Sequence, residues 1–115
     1  MKKELGDRGE DIAAKYLQQQ GYRIVQRNYR SRYGEVDIIC AQQGILVFVE
    51  VKTRTSNAFG FPEESITPTK QAHIRKVALD YLDGYSQAFT EIRFDVVGIL
   101  LEGGEPRINH LVAAF

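Results

Sequence analysis

Leu5, Ile12, Ala13, Tyr16 and Leu17 recur near helical spacing, with Glu10 and Lys15 on the polar side, and the pattern stops at Gly21. That spacing and that stop predict an amphipathic helix. The period then shortens. Tyr22 to Arg30 alternates weakly, Ser31-Arg32-Tyr33-Gly34 reads as a turn, and two β-branched runs, Val36 to Ala41 and Ile45 to Val51, flank a hairpin signal at Gln42-Gln43-Gly44. Because the second run is apolar on both faces, it predicts a central strand. A connection over 55–66, with Gly60 and Pro62, leads to the clearest helix start in the chain. There Thr67 is the expected N-cap and Pro68 the first helical residue, while Ile74, Val77, Ala78, Tyr81 and Leu82 form one stripe that Gly84 ends. Ile92 to Leu101 and Arg107 to Val112 read as strands either side of Glu102-Gly103-Gly104. The predicted order is αβββα followed by ββ, an α/β fold with helices covering a sheet.

Length and charge narrow this picture. At 115 residues the chain is expected to form one domain over 1–115 with a single core. The formal net charge is zero, so partner class cannot be read from the total. Its distribution is uneven. No acidic residue lies between Asp11 and Glu35, whereas Lys15, Arg23, Arg27, Arg30 and Arg32 do, interleaved with Tyr16, Tyr22, Tyr29 and Tyr33. Such a segment suits contact with phosphates, and equally suits a solvated strand edge protected by arginine. Cys40 is the only cysteine and excludes an internal disulfide, in keeping with a reducing compartment. Met1-Lys2-Lys3 runs into Glu4 without an apolar signal region, and no window reaches membrane-spanning length, so a soluble cytoplasmic protein is expected.

One polar pair breaks the most apolar run: Glu50 and Lys52, in Phe48-Val49-Glu50-Val51-Lys52-Thr53-Arg54. Charges in such a run are costly unless they are paired or bound to a metal. Alternation puts Glu50 and Lys52 on one face of their strand, and Glu35 and Asp37 on one face of the preceding strand. A two-residue turn at Gln43-Gly44 sets Asp37 opposite Glu50 and Glu35 opposite Lys52, whereas a bulged three-residue loop would shift the register by one. In the first register the Asp37 and Glu50 Cβ atoms lie roughly 4.5–5.5 Å apart. Two carboxylates that close call for a cation between them, and Mg²⁺, which accepts carboxylate oxygens and retains water, fits. Water activated there becomes a nucleophile at neutral pH, with Lys52 placed to assist it or to meet charge on a phosphate. Glu10 is a third acid within reach, or else one face of a solvated helix.

Together, Gly9-Glu10, Gly34-Glu35-Val36-Asp37, Phe48 to Arg54, Arg93-Phe94-Asp95-Val96-Val97 and Ala114-Phe115 resemble the YraN family, also called UPF0102, over nearly the whole chain. That family is similar to archaeal Holliday-junction resolvases and to the PD-(D/E)xK nucleases. The resemblance implies a restriction-endonuclease-like αβββαβ core with a mixed sheet. It also implies a metal-binding aspartate at Asp37, the motif glutamate at Glu50 and lysine at Lys52, and the additional first-helix glutamate at Glu10. The proline that often precedes the aspartate is replaced by Val36. Resolvases act as symmetric pairs, so the resemblance admits a homodimer.

These readings converge on a Mg²⁺- or Mn²⁺-dependent nuclease that hydrolyses DNA phosphodiesters, selective for branched or single-stranded structure. Asp37, Glu50, Lys52 and Glu10 would form its site, and Arg23, Arg27, Arg30, Arg32 and Lys70 would contact nucleic acid. The alternative is a nucleic-acid-binding module of the same fold without significant catalysis. The connection over 54–65 reads as a lid, a DNA-contacting loop or a plain link. Asp95 is expected to face solvent or to pair with Arg93. His73 and His110 lack the spaced partners that a zinc site needs.

Overall fold

The computed structural model describes residues 2–56 and 66–115, so positions 57–65 of the proposed lid lie outside the described residues. Helix α1 spans Lys2–Gln19 and ends as predicted. Gly21 turns to φ 94°, while Tyr22 N–H reaches Leu17 O at 2.9 Å and Gly21 N–H reaches Gln18 O at 3.0 Å. These bonds satisfy carbonyls that a helix end otherwise leaves open. Strands β1 (Arg23–Ser31), β2 (Gly34–Gln42) and β3 (Ile45–Arg54) follow, then α2 (Pro68–Asp83), β4 (Glu91–Leu100) and β5 (Arg107–Leu111). Thr67 caps α2 by accepting from Lys70 N–H at 3.1 Å.

The strands form one mixed sheet in the order β1-β2-β3-β4-β5. Only β3 and β4 are parallel, joined by the crossover through α2, and the other neighbours are antiparallel. As its two apolar faces predict, β3 is central, with Leu46 to Glu50 all buried. Its odd-numbered residues Val47 and Val49 pack under α1 with Ala13, Leu17, Ile38, Cys40, Val97 and Ile99. Leu46 and Phe48 pack under α2 with Val36, Ile39, Ile74, Val77, Ala78 and Phe94. One sheet therefore separates two apolar layers, each closed by one helix. This is the αβββαβ order that the family resemblance implies, with β5 added at the edge.

The β2–β3 hairpin has the expected two-residue turn. Gln43 (φ 51°) and Gly44 (φ 82°) both adopt the left-handed region that such a turn needs. Gln42 then faces Ile45 and Ile38 faces Val49, the register that aligns Asp37 with Glu50. Pairing between these strands runs from Gln42↔Ile45 to Ile38↔Val49. Beyond that point β2 stays with β1 as far as Ser31↔Gly34, and β3 stays with β4 as far as Arg54↔Leu100. The sheet is forked at the ends that carry the polar motif.

Candidate functional site

Asp37 stands where the fork begins. Its Oδ2 accepts the Val51 N–H at 2.8 Å, so a side chain takes over where ladder bonding stops. The cleft beyond, about 730 Å³ in volume, runs between the β2 and β3 ends and the first turns of α1, with Glu10, Asn28, Arg30, Asp37 and Lys52 in its wall. Close packing at Gly9 seats α1 there. A Cβ on Gly9 would overlap the Thr53 side chain, so only glycine lets the helix lie this near β3 and bring Glu10 to the cleft.

Glu50 is 4% exposed, and Asp37 is partly buried beside it. Burial first, then the hydrogen bonding and charge of Glu50, push the Asp37 carboxyl up to about 8, against the pull of the Val51 N–H. Two ammonium groups approach the Glu50 carboxylate: Lys70 Nζ lies 3.0 Å and Lys52 Nζ 4.0 Å from Oε2. The sequence expectation that residues 37, 50 and 52 share one locus therefore matches the geometry. The expected partnership of Glu35 with Lys52 is replaced by an ion pair of Glu35 with its β1 neighbour Arg30. Lys70, expected as a phosphate contact, is drawn onto Glu50.

Glu10 is buried to 7% exposure and its Oε1 accepts from Arg27 Nε at 2.8 Å and Asn28 Nδ2 at 3.0 Å. Arg27 also reaches Asp11 at 2.7 Å, so this arginine is committed to α1 as well as facing solvent. Arg30 lies in the cleft wall, and Arg32 at the β1–β2 turn covers the Tyr33 ring. Arg23 is seven residues from Arg30 along an extended strand, roughly 23 Å away, beside the Gln43-Gly44 turn. The arginines thus spread along an edge strand, with Arg27 and Arg30 near the cleft. Asn28 escaped the sequence reading. It holds φ 55° within β1 and turns its amide to Glu10. An asparagine inside a strand, where that residue is disfavoured, was the available signal.

The donor set can be tested against a metal. Asp37 keeps one oxygen free of backbone bonding and lies against Glu50, so the two carboxyls could share an ion in place of the lysines that now face Glu50. No cluster of three or more His, Cys, Asp or Glu residues with metal-holding geometry occurs among the described residues. Two carboxylates with the remaining positions left to water fit Mg²⁺ or Mn²⁺, and they are too few for a structural zinc site.

Asp95 corrects an expectation. It is fully buried rather than solvent-facing, although it does pair with Arg93, whose Nε and Nη2 each lie 2.8 Å from its oxygens. His110 Nε2 approaches Asp95 Oδ2 at 2.7 Å, and Ala113 N–H donates to Oδ1 at 3.0 Å. Ala114 N–H bonds Phe94 O at 2.7 Å, and Phe115 stacks on Phe94 with Arg75 over both rings. This explains the Ala114-Phe115 motif as part of a clasp that binds the segment after β5 to β4.

A model of the "Uncharacterised protein family UPF0102" matches residues 9–99, which span Glu10, Asp37, Glu50, Lys52 and Lys70. The chain is 50% identical to a UPF0102 protein of Syntrophomonas wolfei over the full length of both. It is 49% identical to one of Rhodococcus opacus, covering 96% of this chain and 95% of that protein. With one of Anaeromyxobacter dehalogenans it shares 47% identity over 96% of this chain and 83% of that protein. No helix among the described residues is long and apolar enough to cross a membrane.

Proposed function

Since the chain belongs to the uncharacterised family UPF0102, its activity has to be argued from its own cleft, and we propose a Mg²⁺- or Mn²⁺-dependent nuclease that hydrolyses DNA phosphodiesters. The observation that carries this reading is the meeting of Asp37 and Glu50 at the fork of the sheet, with Lys52 beside them. Two acids set this close are an unfavourable pair for a merely structural role. This one sits at the edge of a cleft large enough for a backbone segment, with a carboxyl driven towards its protonated form.

Asp37 and Glu50 would hold the ion, which when bound would make a water acidic and offset charge on the phosphate. Lys52 would orient the attacking water or hydrogen-bond the phosphate oxygen on which charge accumulates. The water oxygen bonds phosphorus, the bond to the ester oxygen breaks, and that oxygen takes up a proton. Glu10 acts at one remove, because Arg27 and Asn28 occupy it. Arg30 in the cleft wall, Arg27 beside Glu10 and Arg32 at the β1–β2 turn would position phosphates without reading sequence, which favours selectivity for branched or single-stranded structure.

A second reading, a nucleic-acid-binding module without significant catalysis, draws on Lys70, whose ammonium already neutralises Glu50. A cleavage panel of single-stranded, flapped and branched DNA and RNA, with Mg²⁺ or Mn²⁺, separates the two. The nuclease reading expects cutting of at least one DNA, lost with chelator and in Lys52→Ala. Salt-dependent binding with no cutting would replace it with the module.

A further inference from the structure

Two lysines approach one buried carboxylate, and they are held differently. Lys52 belongs to a paired strand, opposite Gly98 of β4, and its side chain is 23% exposed. Lys70 hangs from the first turn of α2, its backbone pinned by the Thr67 cap, with a side chain 45% exposed and closer to Glu50, at 3.0 Å. Burial opposes its charge, but Glu50, then Asp37 and Glu35, keep the ammonium more firmly protonated than usual. A divalent ion bonded to Glu50 at about 2.0–2.1 Å would stand within a few ångströms of that ammonium. Two cations crowded onto one buried carboxylate repel each other. With four rotatable bonds and a solvent-facing flank, Lys70 is the one able to leave.

Building on the metal-binding reading of Asp37 and Glu50, we propose that Lys70 is the counter-cation of Glu50 in the metal-free protein and exchanges partners on loading: the divalent ion takes Glu50, and the freed ammonium takes a phosphate of the polynucleotide. Competition for Glu50 makes metal binding weaker than the carboxylates alone would give. A phosphate that captures Lys70 relieves the competition, so metal and polynucleotide strengthen each other's binding, a reciprocal coupling of two sites. Lys70 is thereby a positioning residue that ties loading of the ion to the presence of substrate.

Calorimetric titration of Mn²⁺ into the metal-free full-length protein tests this, using wild type, Lys70→Met, Lys70→Arg and Glu50→Gln, each checked for folding by thermal melting. Lys70→Met should bind Mn²⁺ about tenfold more tightly than wild type, and Lys70→Arg should stay near wild type. A short DNA strand with non-hydrolysable linkages should tighten Mn²⁺ binding severalfold in wild type and leave Lys70→Met unchanged. Equal or weaker Mn²⁺ binding by Lys70→Met, with Glu50→Gln still abolishing binding, overturns the exchange while sparing the metal site. Failure of Glu50→Gln to weaken Mn²⁺ binding, or no binding by any variant, overturns the metal site and the exchange together.

Discussion

Two buried carboxylate centres lie in this one sheet, and their chemistry is opposite. At Asp95, burial alone would favour the protonated acid, yet hydrogen bonds from His110, Arg93 and the Ala113 N–H hold its carboxyl down to about 2. Every oxygen is answered. An ionised Asp95 can only accept, so the His110 Nε2 against it carries a proton, and Nδ1 of the same ring meets the Tyr16 hydroxyl at 3.1 Å. At Asp37, the first neighbour is another carboxylate, and among the described residues the Val51 N–H is the backbone group that compensates. The fold can satisfy a buried acid completely and does so at the clasp. The fork instead sets Asp37 against a second carboxyl, Glu50, a departure from local rules of the kind expected at functional positions.

Substitution can break this contrast most sharply through activity. Lys52→Ala should lower cleavage at least ~100-fold while shifting the melting temperature little, because Lys52 lies as far as 4.0 Å from Glu50 and remains partly solvated. Asp95→Ala should do the reverse. Removing one partner of a buried ion pair leaves Arg93 and His110 unanswered, a cost of about 3–5 kcal/mol measurable by urea unfolding, with activity per folded molecule retained. If Asp95→Ala melted like wild type, the clasp would not be the structural centre described. If Lys52→Ala unfolded the protein, the fork would be structural as well.

How much of this was legible follows from the range over which each determinant acts. Element order, the Thr67 cap, the Gly21 and Gly84 stops and the Gln43-Gly44 turn are local, and each was readable. The β2–β3 register followed from the turn length, which is why Asp37 and Glu50 could be brought together on paper. Partners distant in the chain were not readable. The pairing of Asp95 with nearby Arg93 was readable, but its burial was not, because neither His110 nor the Ala113 N–H announces where β5 returns. Lys70 looked free because the seating of α2 over the sheet is a tertiary outcome, and Arg27 looked free because the tilt of α1 is one too.

That tilt gives a smaller, separate test of the fork. Gly9→Ala should destabilise by about 1–3 kcal/mol through overpacking against Thr53, partly offset by the ~1 kcal/mol that alanine gains over glycine within a helix. It should also lower cleavage, because α1 carries Glu10 into the cleft wall. Thermal melting with no loss of stability would mean that α1 can shift without cost, and that its close approach to β3 is not what places Glu10.

The smallest effect discriminates best, because its sign differs between the two centres. Asp37 has its folded pKa raised, so the stability it contributes is fully present below its ordinary value near 4 and is lost as pH rises towards about 8. Asp95 has its folded pKa lowered, so its contribution is present above about 4 and is lost as pH falls towards about 2. In metal-free protein, Asp37→Asn should keep an acceptor for the Val51 N–H and remove the repulsion with Glu50. It should therefore melt at or slightly above the wild-type temperature at pH 8 and converge with wild type near pH 4. Adding Mn²⁺ should raise the wild-type melting temperature at pH 8 and leave the variant where it was, since only the ionised pair attracts the ion. A variant that melted well below wild type at pH 8 would make Asp37 a second clasp, hydrogen-bonded for the sake of the fold, and the asymmetry between the two centres would vanish.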